Sequence, residues 1–583
     1  MHVLRRPSSS RLCTARTSRS AEILPQCCAA RLFSTYVDST DRKTAVSIME
    51  DPADILQYFI QNSDMDAPTL ETTLRCLGRI AIRNGARQME SITADERFHR
   101  LLGTIGSRLE EANGRLLAML ATAMAYFRNP GGELLELVHK LGDVVMRREN
   151  AFNPRNLSSL ALAFSTMGHR DPNLIEFIRV EAVKYMQDFR PNDLHVIMDA
   201  YRRWGVYNRE LADMLVERMT DEIDRYTSKD VIMTLHVLSQ VGLARGFLLR
   251  RLATLAFENL GDFDTRQLVT LFYSLSRLRF LSTQNCDDLI DALKIRDLDP
   301  KSINLDCMAI AQILFSLETA GYTENPAIIQ CLVDAYQHKI TEGKATVSLL
   351  GKVDMAHALC FYNLKGTQPL LEKTLQDIFA GQVTRNRLLH TKLWEVIGAL
   401  EVEQKGMRVD IPVQWRAACD ETDRLEQDKT ETSRVHSEVV LVLDNLKGKY
   451  ALSVLRNQRA GYYRVDLYDE ETKIAIDLDT VNRPVGRLLK HRHMSLQGYR
   501  PVSLDYWMWR RCRSEEDQTL FLKQLLTRPL VDAGRLDASA LPSADRPQQQ
   551  QQPAKTAFTD SAFVQSDDER RLTESESEDR MSM

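Results

Sequence analysis

No apolar run in this 583-residue chain approaches the ~20 residues that a membrane-spanning helix needs; EVVLVL at 438–443 is far too short. No Cys-x-x-Cys pair occurs either. The ten cysteines (Cys13, Cys27, Cys28, Cys76, Cys286, Cys307, Cys331, Cys360, Cys419 and Cys512) are scattered. That reads as free thiols in a reducing compartment, not as a disulfide frame or a zinc site. Neither sign of charge dominates. A net charge of −4 argues neither for nor against nucleic acid, so the placement of charge carries more than its sum. What is present is the composition of a soluble globular protein, 44% hydrophobic and 27% charged. At this length one hydrophobic core does not suffice, so several domains or an extended array are expected.

The two ends are built differently from the middle. Residues 1–34 contain Arg5, Arg6, Arg11, Arg16, Arg19 and Arg31, many serines and a single acid, Glu22. Arginine-rich, serine-rich and acid-poor composition is that of a mitochondrial transit peptide. RLFST at 31–35 reads as a processing site, with cleavage after Phe33 and a mature chain beginning near Ser34. A basic tail of a cytosolic protein is the plainer alternative. A secretory signal is not expected, since no apolar core follows the arginines. Residues 536–583 hold PQQQQQP and SDDERRLTESESED, a Gln-rich and acidic composition that buries too little to fold alone.

Between the ends the chain repeats itself. NPRNLSSLALAFSTMG (153–168), RPNDLHVIMDAYRRWG (190–205), TSKDVIMTLHVLSQVG (227–242) and DTRQLVTLFYSLSRLR (264–279) align at a step of 37. Leu157, Leu194, Val231 and Leu268 keep that step. So do Gly168, Gly205 and Gly242, and Phe189, Tyr226 and Phe263. The pattern continues more loosely at 310–321 and 355–366, and backwards at 116–128, with weaker matches at 73–85 and 392–402. Leu157, Leu160, Ala161 and Phe164 lie at i, i+3, i+4 and i+7, one face of a helix. Asn153, Thr227 and Asp264 sit at the N-cap position, and glycine at the C-cap. A second helical phase follows, with Leu174/Ile178, Leu211/Leu215 and Leu248/Leu252. One helical hairpin per unit cannot bury its apolar face alone, so the units are expected to stack as an α-solenoid over about 50–405. Such arrays bind long ligands, here single-stranded RNA; a protein-binding scaffold is the alternative. The period resembles that of heptatricopeptide and octotricopeptide repeats of organelle RNA-binding proteins.

A charged stretch at 406–433 reads as a linker, and a small α/β domain at 434–528 follows it. Val435, Val439, Val442 and Leu446 have helical spacing. Strands are expected at 462–468 and 473–479 around a DEET turn, then a basic helix at 486–497, a strand at 499–506, and helix at 507–512 and 515–526. VDLYD, IAIDLDT, LLKHRHMSLQGYRPVSLDYWMW and LFLKQLL in this order resemble the RAP domain, an RNA-binding module abundant in apicomplexans. The resemblance implies a fold similar to the restriction-endonuclease core. It also implies work on mitochondrial or chloroplast RNA.

In that nuclease core, one aspartate and an Asp/Glu-x-Lys on the next strand hold Mg²⁺. Asp466 and Asp477 match the two carboxylates, which suit a hard cation that would activate water. Asp479 stands where the lysine belongs, and TVNRPV (480–485) replaces the family's usual glycine–proline–x–histidine segment. The expectation is therefore no catalytic residue and no cofactor. Asp466, Asp477 and Asp479 with Mg²⁺ form the site only under the alternative of a metal-dependent RNA endonuclease. RNA binding is expected from Arg483, Arg487, Lys490, Arg492, Arg500, Arg510, Arg511 and Arg513, which only Asp505 interrupts. Tyr499, Tyr506, Trp507 and Trp509 are interleaved with them, cations for phosphate and aromatics for bases; Tyr499 and Trp507 read as core. The whole reads as a mitochondrial matrix protein that binds single-stranded or ribosomal RNA, with mitoribosomal proteins as further partners. Its work would be RNA processing, stability or mitoribosome assembly.

Overall fold

The computed structural model describes residues 39–536, apart from 63, 129, 207, 244–245, 297–298, 344–346, 385, 404–406, 408, 432–433, 451 and 480–487. The transit-peptide segment 1–34 lies outside the described residues, as does the tail beyond 536. The sequence anticipates one array over 50–405; the chain forms two compact units, one ending at Ala151 and the other beginning at Phe152.

The first unit holds α1 (Ser39–Ile48), α2 (Pro52–Gln61), α3 (Ala67–Asn84), α4 (Ala86–Thr93), α5 (Glu96–Arg108), α6 (Gly114–Met124) and α7 (Gly132–Met146). Asp66 caps α3 by accepting from the Thr69 N–H, which satisfies one of the free donors of the first turn. Leu70, Leu74, Leu77 and Ala81 then bury one stripe of α3, which packs on α6.

The second unit opens with hairpins. They are α8 (Pro154–Thr166) with α9 (Pro172–Lys184), α10 (Pro191–Trp204) with α11 (Arg209–Asp221), and α12 (Ser228–Val241) with α13 (Gly246–Glu258). Next come α14 (Thr265–Arg277) with α15 (Thr283–Ala292), α16 (Cys307–Thr319) with α17 (Pro326–Thr341), α18 (Leu349–Tyr362) with α19 (Gln368–Phe379), and then α20 (Arg387–Val402). The caps fall where the sequence places them. Asn153 accepts from the Asn156 N–H, and Thr227 and Asp264 form capping boxes with Asp230 and Gln267. Gly205 and Gly242 close their helices at φ 69° and 74°, a left-handed conformation that costs glycine little. Each first helix packs on the next, from α8 on α10 through to α18 on α20. Trp204 fastens successive hairpins by donating its indole N–H to the His169 carbonyl at 2.8 Å.

Toward the C-terminal end of this array the first helices bury charge. Lys392 on α20 pairs with Asp354 on α18, both fully buried, and its ammonium sits 3.4 Å from the centroid of the Phe315 ring. The Tyr273 ring on α14 is 5.6 Å from the same ammonium. His357 lies 2.7 Å from the carboxylate of Glu318 and 3.2 Å from that of Glu395, so α16, α18 and α20 are tied in sequence. Burial by itself pushes the imidazole down, but the two carboxylates hold its pKa up at about 10.

Residues 413–431 of the stretch read as a linker are helix. α21 (Val413–Glu431) packs on α20 and buries Trp415, Cys419 and Thr422, so its charges lie on one side of an amphipathic element. After it come α22 (Arg434–Tyr450), β1 (Val454–Ala460), β2 (Tyr463–Asp469), β3 (Ile474–Asp479), α23 (Leu488–Leu496), β4 (Arg500–Asp505), α24 (Tyr506–Arg511) and α25 (Glu515–Asp532). The sheet order is β1-β2-β3-β4, antiparallel except for the β3–β4 pair, whose crossover contains α23. β1 was not anticipated, because VLRNQRA offers few apolar residues and buries fully only Ala460. Leu467, Ile474, Ile476, Leu478, Val502 and Leu504 form a core with Val435, Val439 and Val442 of α22 and with Leu522, Leu526 and Leu530 of α25. Each such side chain stabilises by about 1.5–3 kcal/mol on burial. Trp509 belongs to this core rather than to a stacking surface; it is fully buried and its indole N–H donates to Glu438.

Candidate nucleic-acid interface

β2 and β3 run side by side with Leu467 opposite Ile476, which brings Asp466 and Asp477 onto neighbouring strand positions, as the spacing anticipates. Both carboxylates are 1% exposed. One Asp466 oxygen accepts from the Leu478 N–H at 2.6 Å. The Asp477 oxygens face two side chains of α23, Lys490 Nζ at 2.9 Å and His491 Nε2 at 3.2 Å. The third carboxylate, Asp479, ends β3, and its side chain lies outside the described residues. The cation beside Asp477 thus comes from the next helix instead of from strand position 479. A buried carboxylate keeps its charge when it is paired and hydrogen-bonded. A cation held here would compete with those donors for the carboxylate oxygens.

Of the five cations of the basic segment whose side chains are described, three bond to oxygen acceptors within the chain. Lys490 is 7% exposed and also donates to the Arg464 carbonyl at 2.7 Å. Arg492 donates to both oxygens of Glu403, at 2.8 and 3.0 Å. It donates as well to the carbonyls of Phe361 and Cys360, at 2.6 and 2.8 Å. Those carbonyls end α18, so a guanidinium from the C-terminal domain caps a repeat helix at its negative pole. Arg500 donates to the Thr472 and Asp532 carbonyls. Arg511 and Arg513 are exposed. Arg483 and Arg487 lie outside the described residues, and so does the side chain of Arg510 on α24. Lys490, Arg492 and Arg500, expected as RNA contacts, each donate to intramolecular acceptors.

The contacts that hold the C-terminal domain on the repeats have no local signal in the sequence. Tyr462 stacks on Trp394 of α20, with centroids 4.4 Å apart. The Tyr463 hydroxyl and His493 Nδ1 lie 2.5 Å apart, and His493 Nε2 lies 2.9 Å from Glu403. Burial opposes charge on Glu403, yet hydrogen bonds from His493 and Arg492 keep its carboxyl below the usual range. Gly398 is required by contact: a Cβ there would stand 2.3 Å from the Tyr463 hydroxyl oxygen. On the other side Arg464 of β2 reaches Asp420 and Asp423 of α21, at 3.4 and 3.7 Å. Arg492→Ala is expected to cost about 2 kcal/mol, because Glu403 loses its bidentate partner. Hydrogen exchange should then quicken over 352–362 and 488–496 together; unchanged protection at both would show that the contact does not hold the domain.

Comparison with known proteins gives two family matches. The model described as RNA-editing substrate-binding complex 6 protein matches residues 101–325, and the RAP domain model matches residues 487–525. None of the curated proteins matches the chain. No helix among the described residues is long and apolar enough to cross a membrane.

Proposed function

We propose that this chain, a RAP-domain protein with helical repeats, is imported into mitochondria and binds organelle RNA there without cutting it. Its work is the processing or stability of that RNA or its assembly into the mitochondrial ribosome, with mitoribosomal proteins as further partners. An RNA-binding role in RNA processing rests on the two family matches. One observation carries the reading: the RAP module is packed onto the repeat array through Arg492, Glu403, Tyr462 and Trp394, so the two act as one body. The arginine-rich, acid-poor segment 1–34 supports mitochondrial import. The donors on Asp466 and Asp477 support binding without cleavage.

RNA crosslinking and sequencing on isolated mitochondria tests this. The expected result is recovery of the chain, trimmed near Ser34, with a restricted set of mitochondrial transcripts. A chain absent from the organelle sinks the address. A chain present there but with no crosslinked RNA makes it a protein scaffold.

A further inference from the structure

The repeats segregate charge between their two helices. The first helices α8, α10, α12 and α14 carry six cations against three acids, one of them the buried Asp193. The second helices α9, α11, α13 and α15 carry six cations against ten acids. On the second helices Arg179, Lys184, Arg218 and Arg251 are tied to carboxylates. On the first helices Arg155, Lys229 and Arg266 are exposed and form no ion pair among the described residues. The three are not scattered. With Asn192 they occupy one repeat position, at steps of 37, in the first turn of each successive helix.

The rest of the face follows from helical geometry. In α8 the residues that are not buried beyond the first turn are Ser159, Leu162 and Thr166, at i+4, i+7 and i+11 from Arg155. The i+4 row across the helices reads Ser159, Val196, Met233 and Thr270, none of them buried or charged. Adjacent helices stand about 8–10 Å apart. A cationic edge therefore runs beside an uncharged strip, across four parallel helix N-termini whose dipoles also favour anions. At the i+7 position Tyr273 and Phe315 are buried, with Lys392 over the rings and Leu388 packed against them.

We propose that a single strand of RNA crosses α8 to α14 with its phosphates on the ladder Arg155–Lys229–Arg266 and its bases over the Ser159–Val196–Met233–Thr270 strip. This rests on the RNA-binding reading above and assigns it a surface: the repeats, not the basic helix of the RAP domain. Phosphate contact is sequence-independent, so the ladder sets affinity and register and leaves base preference to the strip.

The full-length protein and a labelled oligouridine of about 20 nucleotides test it, by fluorescence anisotropy at several salt concentrations. Each lost phosphate contact lowers the salt slope by about 0.7 on single strands, so R155Q/K229Q/R266Q should lower it by about 2 and weaken binding roughly 100-fold near 0.1 M salt. The matched triple on the second helices, R179Q/K184Q/R251Q, should stay within about twofold. If the ladder triple binds as the wild type does, with its circular dichroism melt unchanged, the surface is wrong and the face serves a protein partner. If the wild type itself binds no RNA, the RNA reading falls, which is a different result. Should the triple not fold, the single substitutions give the answer at roughly 5-fold each.

Discussion

Asp354→Ala is expected to cost about 3–5 kcal/mol, the loss typical when one partner of a buried pair is removed and the other charge stays in the core. Lys392 is fully buried, and beside Asp354 its ammonium faces the Phe315 and Tyr273 rings. A ring quadrupole attracts an ammonium, by up to about 2 kcal/mol when desolvated, but does not replace a carboxylate. The charge would neutralise or pull water into the array. Replacing both residues with apolar ones of similar size, D354L with K392M, should recover most of the loss, since a packed apolar pair is often as stable as a buried ion pair. Urea denaturation of the three proteins decides this. A single variant within about 1 kcal/mol of the wild type would mean that Lys392 does not depend on Asp354.

The second large effect concerns the two aspartates of the sheet. As surface carboxylates beside RNA, they would lose charge at little cost. As placed, Asp477→Asn is expected to destabilise the C-terminal domain by about 3 kcal/mol, because the amide offers one acceptor where Lys490 and His491 use both carboxylate oxygens. Asp466→Asn should cost only about 1 kcal/mol, since an amide oxygen still accepts from the Leu478 N–H. A metal site would treat the two substitutions alike. Thermal melting should therefore separate the variants, and incubation of each with RNA and Mg²⁺ or Mn²⁺ should show no cutting. Cation-dependent cleavage by the wild type, lost in both variants, would make the strand pair an active centre.

Much of this molecule was legible because its signals are local. The N-caps at Asn153, Thr227 and Asp264, the left-handed glycines, and the i, i+3, i+4, i+7 stripes act within one or two turns, so the sequence states them directly. The strands β2 and β3 were found for the same reason. α21 was missed because its charges hid a buried stripe of Trp415, Cys419 and Thr422, and β1 because its residues are mostly polar. The exposed ladder could have been read, since it keeps the 37-residue step; it was overlooked because one rung is Asn192 and the other three mix arginine with lysine.

By itself, then, the sequence determined the helical hairpins, the RAP-like α/β domain and the positions of the carboxylates. Only the tertiary structure decided what each charge faces. Arg492 meets Glu403, 89 residues away, and the Phe361 carbonyl, 131 away, while Lys490 turns to Asp477 instead of to solvent. The physical reason is reach. A helix or strand is specified by neighbours along the chain, but a long cationic side chain bonds whatever acceptor the packing brings within about 3 Å. In this chain the packing brings acceptors to Lys490, Arg492 and Arg500 and leaves Arg155, Lys229 and Arg266 exposed.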